Sequence, residues 1–147
     1  RMAEPAAILP HLYALLHTYG NRDLAGKRIL ISAGGTREHF DPVRFIGNPA
    51  SGKMGLALAQ AAAHRGAQVT LVHAPIEAQG LATLPAVQQV PIVSAAEMHQ
   101  AMRSHLPQAD WIVMAAAVAD VKPQTYWQEK LPKRSIPDHL ALEAVPD

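Results

Sequence analysis

Arg28-Ile29-Leu30-Ile31-Ser32-Ala33, followed at once by Gly34-Gly35-Thr36, is the stretch on which the fold turns. A short run that is apolar without alternation reads as a strand buried on both faces. Glycines directly after it make a sharp turn that exposes backbone. Further along the chain, Gln68-Val69-Thr70-Leu71-Val72-His73 repeats the strand pattern, ended by Ala74-Pro75. Residues 87–92 form a weaker third strand, and Trp111-Ile112-Val113-Met114-Ala115-Ala116-Ala117 forms a strand apolar throughout, expected to be covered on both faces. Helices alternate with these strands. One spans 51–65 and ends at Gly66, a good residue for a left-handed stop. A second starts at Ser94, where Glu97 three residues on completes a capping box, and runs to about residue 106. Such alternation predicts an α/β fold, Rossmann-like and three-layered, around a mainly parallel sheet with right-handed crossovers.

In sheets of this kind ligands bind beyond the carboxyl ends of the strands. Three features converge there: Gly34-Gly35-Thr36, the loop from Asn48 to Gly55, and the run Ala115-Ala116-Ala117-Val118-Ala119-Asp120. The loop Phe45-Ile46-Gly47-Asn48-Pro49-Ala50-Ser51-Gly52-Lys53-Met54-Gly55 places small residues and one lysine where a helix begins. Unblocked N–H groups at a helix start suit a phosphate; the plainer reading is an ordinary Ser-capped helix. Gly47 to Lys53 matches G-x-x-x-x-G-K, but Met54 stands where a P-loop needs a hydroxyl for magnesium, so a true P-loop is not expected. The dinucleotide fingerprint lacks its third spaced glycine. Alanines before Asp120 leave room for a flat ring or sugar, and an acid there can take ribose hydroxyls or a metal, or simply close a turn. Lys130, Lys133 and Arg134 cluster on a proline-containing loop, either as a solvated charge run or as a flap bringing positive charge to polyphosphate.

Composition narrows the classes. With 147 residues and 49% hydrophobic residues the chain can bury a real core as one domain. A net charge of +1 and 5% aromatics argue against a nucleic-acid surface. The absence of cysteine excludes disulfides and thiolate metal sites and fits a cytoplasmic setting. No apolar run is long enough to cross a bilayer. The eight histidines (11, 17, 39, 64, 73, 99, 105 and 139) show no ligand spacing, so no metal site is assigned to them. No G-x-S-x-G elbow supports a hydrolase. The first 25 residues carry a helical apolar spacing (Ile8, Leu12, Leu15, Leu16), with Pro10 set to kink or restart the helix, and read as a linker rather than part of the sheet. Residues 122–147, with four prolines, read as a long loop with at most a short strand.

Taken together these motifs resemble phosphopantothenate–cysteine ligase. The resemblance is carried by Ile31 to Glu38, Asp41-Pro42-Val43-Arg44-Phe45-Ile46, Asn48, Ser51 to Gly55, Ala115 to Asp120, Glu129-Lys130-Leu131 with Lys133, and Pro146-Asp147. It implies the C-terminal half of a bifunctional bacterial coenzyme A biosynthesis protein, with an FMN-dependent decarboxylase half fused N-terminally. Residues 1–25 would then be the junction and 26–147 the nucleotide-binding ligase portion, with a flap at about 121–147 and the family's C-terminal strands missing. The implied chemistry has two steps. The carboxylate of 4′-phosphopantothenate attacks CTP to give an acyl-cytidylate and pyrophosphate, and cysteine then displaces CMP. By position, Asn48 and Lys130 would be catalytic, Asn48 handling the intermediate. Nucleotide contacts would come from Gly34, Gly35, Ser51, Gly52, Lys53, Met54, Met114, Ala115, Ala116, Asp120, Lys130, Pro146 and Asp147. Mg2+ would arrive on the triphosphate, with no metal ligands from the protein, and a homodimer is implied. One departure stands out: where the family has Lys-x-Lys-Lys, this chain has Lys130-Leu131-Pro132-Lys133. The other readings are a Rossmann-like module such as an NAD(P)-dependent reductase, against which the missing third spaced glycine speaks, and a non-catalytic fragment.

Overall fold

The structure is a computed structural model describing residues 5–82, 84 and 86–146. Four parallel strands form the central sheet: β1 (Arg28–Gly35), β4 (Gln68–His73), β5 (Gln88–Pro91) and β6 (Trp111–Ala117), in the order β5-β4-β1-β6. β1 is central because its residues are apolar on both sides. Ile29, Ile31 and Ala33 pack with Ala59 and Ala62 of α2 (Lys53–His64) on one face. Leu30 packs with Met98 and Met102 of α4 (Ala95–His105) on the other. That is the three-layer arrangement expected. Helix α2 lies unusually close to β1 at Gly55, where a Cβ would come within 2.5 Å of the Ala33 Cβ.

Element ends follow local chemistry. α2 stops in a Schellman motif: Gly66, at φ +93°, donates to the Ala63 carbonyl, and Ala67 donates to that of Ala62. α4 begins with the capping box formed by Ser94 and Glu97.

Several expectations are corrected. α2 starts at Lys53 rather than 51, with Gly52 in the left-handed N-cap position, so Ser51 is not the cap residue; its Oγ accepts from the Lys53 amide at a long 3.5 Å. The stretch taken as a loop before Asn48 holds an antiparallel hairpin, β2 (Arg37–His39) with β3 (Phe45–Gly47). A short helix, α3 (Ala78–Ala82), precedes β5. The proline-rich tail holds two short strands rather than at most one, β7 (Val121–Pro123) pairing antiparallel with β8 (Leu142–Ala144). β6 is not covered on both faces: as the sheet's edge strand it leaves Trp111 50% and Met114 66% exposed.

At the start, α1 (Pro5–Thr18) runs through Pro10 as one helix and lies outside the sheet against α2. Leu24, by contrast, is buried in the α2-side core. Among the described residues no helix is long and apolar enough to cross a membrane.

Candidate functional site

The carboxyl ends of β1 and β6 meet the start of α2. In the sheet register Gly34 lies opposite Ala116 and Gly35 opposite Ala117. Gly52 stands directly over the end of β1. A Cβ there would lie 2.5 Å from Ile76 Cγ2 and 3.4 Å from the Gly34 amide nitrogen, and φ is +72°, so only glycine fits without strain. The helix ladder begins with the Leu56 amide donating to the Gly52 carbonyl at 3.0 Å, so the amides of Lys53, Met54 and Gly55 precede it at the positive end of the helix dipole. Asn48 follows the hairpin and donates its side-chain amide to the Val118 carbonyl at 3.2 Å, joining the α2 loop to the β6 loop.

Buried hydroxyls fix the β6 end from behind. Ser32 Oγ accepts from the amides of Ala115 and Ala116 at 3.1 and 3.2 Å. Thr36, fully buried, accepts from the Ala119 amide through Oγ1 at 2.9 Å, and its own amide donates to the Ala117 carbonyl. The end of β6 at Met114–Ala116 and the turn before Asp120 are therefore held by Ser32 of β1 and by Thr36 just after it. Asp120 is exposed, and its carbonyl accepts from the Val145 amide, which brings Pro146 beside it. Asp147 lies outside the described residues.

A cleft of about 400 Å³ opens beside the α2 start, lined by Arg37, Ser51, Lys53, Ile76 and Glu77 among others. Arg37, which sequence reasoning passed over as a site residue, stacks its guanidinium over the Phe45 ring at 4.8 Å. A wider cleft of about 520 Å³ lies at the opposite end of the sheet, lined by Arg22, Arg28 and His105. Arg28 there is paired with Asp110, and among the described residues no helix of eight or more residues starts there. The carboxyl end, where parallel sheets hold their ligands, is the candidate site.

Lys130 is exposed on the segment 124–132, while Lys133 opens a single 3-10 turn with Arg134. That segment is tied to the hairpin turn through Asp41 and Arg44, which were quoted above for their resemblance but not placed in the site. Asp41 is fully buried. Its Oδ1 accepts from the Val43 and Arg44 amides at 2.8 and 2.7 Å, and its Oδ2 from the Arg44 guanidinium at 2.7 Å. Burial works against its charge, but the amides of Val43, Arg44 and Leu131 and the Arg44 cation outweigh it, holding the carboxyl below its ordinary value. The signal was available in the sequence: Asp before Pro and two residues ahead of a free amide is an Asx-turn pattern.

Comparison with known proteins places this geometry. The model of the DNA/pantothenate metabolism flavoprotein C-terminal domain matches residues 24–147. The coenzyme A biosynthesis bifunctional protein CoaBC of Vibrio cholerae is 43% identical over 145 residues, 99% of this chain and 35% of the relative. Its counterpart in Mycobacterium tuberculosis is 46% identical over 131 residues, 89% of this chain and 31% of the relative. The chain thus spans about a third of the length of the curated relatives it matches. The crystal structure of the C-terminal domain of CoaBC matches with a TM-score of 0.71 at 39% identity, over 86% of this chain and 58% of that one. A Cab2 mutant solved with phosphopantothenate-cysteine shares the fold, with a TM-score of 0.63 at 18% identity over 99% of this chain and 66% of that one. With the family model covering all but its first residues, the chain belongs to the DNA/pantothenate metabolism flavoprotein C-terminal domain family.

Proposed function

We propose that this domain performs the CTP-dependent ligation of 4′-phosphopantothenate with cysteine in coenzyme A biosynthesis. The observation that carries the reading is the meeting of the α2 start, Asn48 and the alanine end of β6 at one edge of the sheet. In the first step a carboxylate oxygen bonds to the α-phosphorus of CTP, and the bond to the β-phosphate breaks to release pyrophosphate. In the second, the cysteine amine bonds to the acyl carbon, CMP leaves, and the amine loses a proton.

Each group has a task that its chemistry suits. The amides at the start of α2, with Ser51 and Lys53, hold phosphate oxygens. The backbone of Met114, Ala115 and Ala116, on a floor of small side chains beside Gly34 and Gly35, takes the base. Asp120, with Pro146 and Asp147, takes the sugar side of the nucleotide. Asn48 orients the mixed anhydride for attack without reacting. Lys130 meets the charge that grows on the leaving pyrophosphate. The cleft at the α2 start sets a single carboxylate, Glu77, beside Arg37 and Lys53, too few acids to cage a cation on their own. Magnesium therefore belongs to the triphosphate as part of the substrate. FMN belongs to the decarboxylase half, and a homodimer and a cytoplasmic setting complete the reading.

The test is single-turnover analysis of Asn48→Ala in the full-length protein. The expected result is accumulation of acyl-cytidylate with slowed CMP release. Unchanged turnover would remove Asn48 from the mechanism. Tight NADPH binding in place of CTP would favour the reductase reading.

A further inference from the structure

The segment 124–132 has neither helix nor strand; Gln124 at its start bonds to the Ala141 and Leu142 carbonyls, and beyond it the segment is fastened to the turn of the β2–β3 hairpin at two points. Trp127 donates its backbone amide to the Phe40 carbonyl at 2.8 Å, and its ring meets that of Phe40 edge-on at 6.4 Å. Four residues on, Leu131 is held from both sides. Its amide faces Asp41 Oδ2 at 3.4 Å, and its carbonyl accepts from Arg44 Nη2 at 3.2 Å. Between these two ties lie only Gln128, Glu129 and Lys130, all exposed.

The other end of the same hairpin runs through Gly47 into Asn48, whose side chain bonds to the Val118 carbonyl. One small rigid element therefore touches both the loop that carries Lys130 and the loop that carries Asn48. A fully buried carboxylate with four donors around it is a costly way to close a turn that a simpler residue could close. Its second oxygen reaches beyond the turn to the loop, and the partner that neutralises it reaches there too.

We infer that Asp41, with Arg44 and the Phe40–Trp127 contact, is a latch that positions Lys130 by clamping the loop on either side of it. Asp41 is a positioning residue: it acts through Lys130 and touches no reacting atom. The latch itself stands on geometry alone, whereas its catalytic consequence rests on the ligase reading.

Hydrogen exchange in the full-length protein separates the two. In Asp41→Asn the Leu131 amide should exchange about tenfold faster, as expected for loss of one charge-assisted hydrogen bond. The amides of Ile31 and Leu71 in the sheet core should not change. Trp127→Ala, which leaves the Asp41 turn intact, should speed exchange at Leu131 in the same direction. An unchanged Leu131 in both variants, or a rise matched by Ile31 and Leu71, overturns the latch, the latter because Asp41 would then be merely structural. For catalysis, Asp41→Asn should lower kcat for acyl-cytidylate formation about tenfold, the same lost interaction read as rate, with KM for cysteine unchanged. Faster exchange at Leu131 with normal kcat would leave the tie between loop and hairpin standing and overturn the positioning of Lys130 by Asp41.

Discussion

Thr36 shows how one buried hydroxyl can set a site. With no exposure and its Oγ1 on the Ala119 amide, it holds the turn that leads to Asp120. Thr36→Val keeps the shape and removes the acceptor, leaving a buried amide unpaired. Urea unfolding should show a loss of about 1–3 kcal/mol. Asp41 carries a pH dependence of definite sign. Its folded pKa lies below the ordinary 3.8, so its contribution is complete above the unfolded carboxyl's range and is lost as pH falls through the folded value. An NMR titration of the Asp41 carboxyl carbon should give a midpoint below 3.8; a midpoint at or above it would contradict the network of donors drawn around it. Thr36 could not be placed from sequence, and of Asp41 only the local Asx turn was legible. Thr36 looked like the end of a glycine turn because its partner Ala119 lies 83 positions away, and the burial of Asp41 was hidden because its tie to Leu131 spans 90 positions.

At the scale of elements, legibility followed the length of the pattern. β1, β4 and α4 were readable because six or more residues repeat one period or carry a capping box. β2 and β3, at three residues each, are too short to show alternation, and Arg37-Glu38-His39 looks solvent-facing. Glu38 is in fact buried, because its carboxylate accepts from the Ala95 amide at 2.8 Å and so caps α4 from outside. Glu38→Ala should therefore lower stability by about 1–2 kcal/mol, the range of a lost helix cap, as measured by thermal unfolding. The reading of β6 failed for the opposite reason. Its apolar run is long enough, but a run cannot tell a central strand from an edge strand, and its position at the edge leaves Trp111 and Met114 exposed. Of the candidate site, the small-residue loops were legible from their composition; the hairpin that joins them was not.

For the whole molecule, the sheet order brings the loops after β1 and β6 together, since these strands are neighbours although 82 residues separate Ser32 from Met114. Where the domain begins is a matter of burial. Leu24 sits in the core and Leu16 is 70% exposed on α1. We propose that residues 1–25 are a junction only up to that leucine. Leu24→Ala should cost about 2–5 kcal/mol, whereas Leu16→Ala should stay within about 0.5 kcal/mol. The central claim, that a nucleotide sits on the α2 start at the carboxyl end of the sheet, is tested most directly by titrating the protein with CTP and magnesium while following backbone amide shifts. The account predicts shifts at Gly52, Lys53, Met54 and Gly55 and at Ala115 and Ala116. Shifts confined to the opposite cleft around Gly66, Gln68 and Thr70, or no shifts at all, would contradict it.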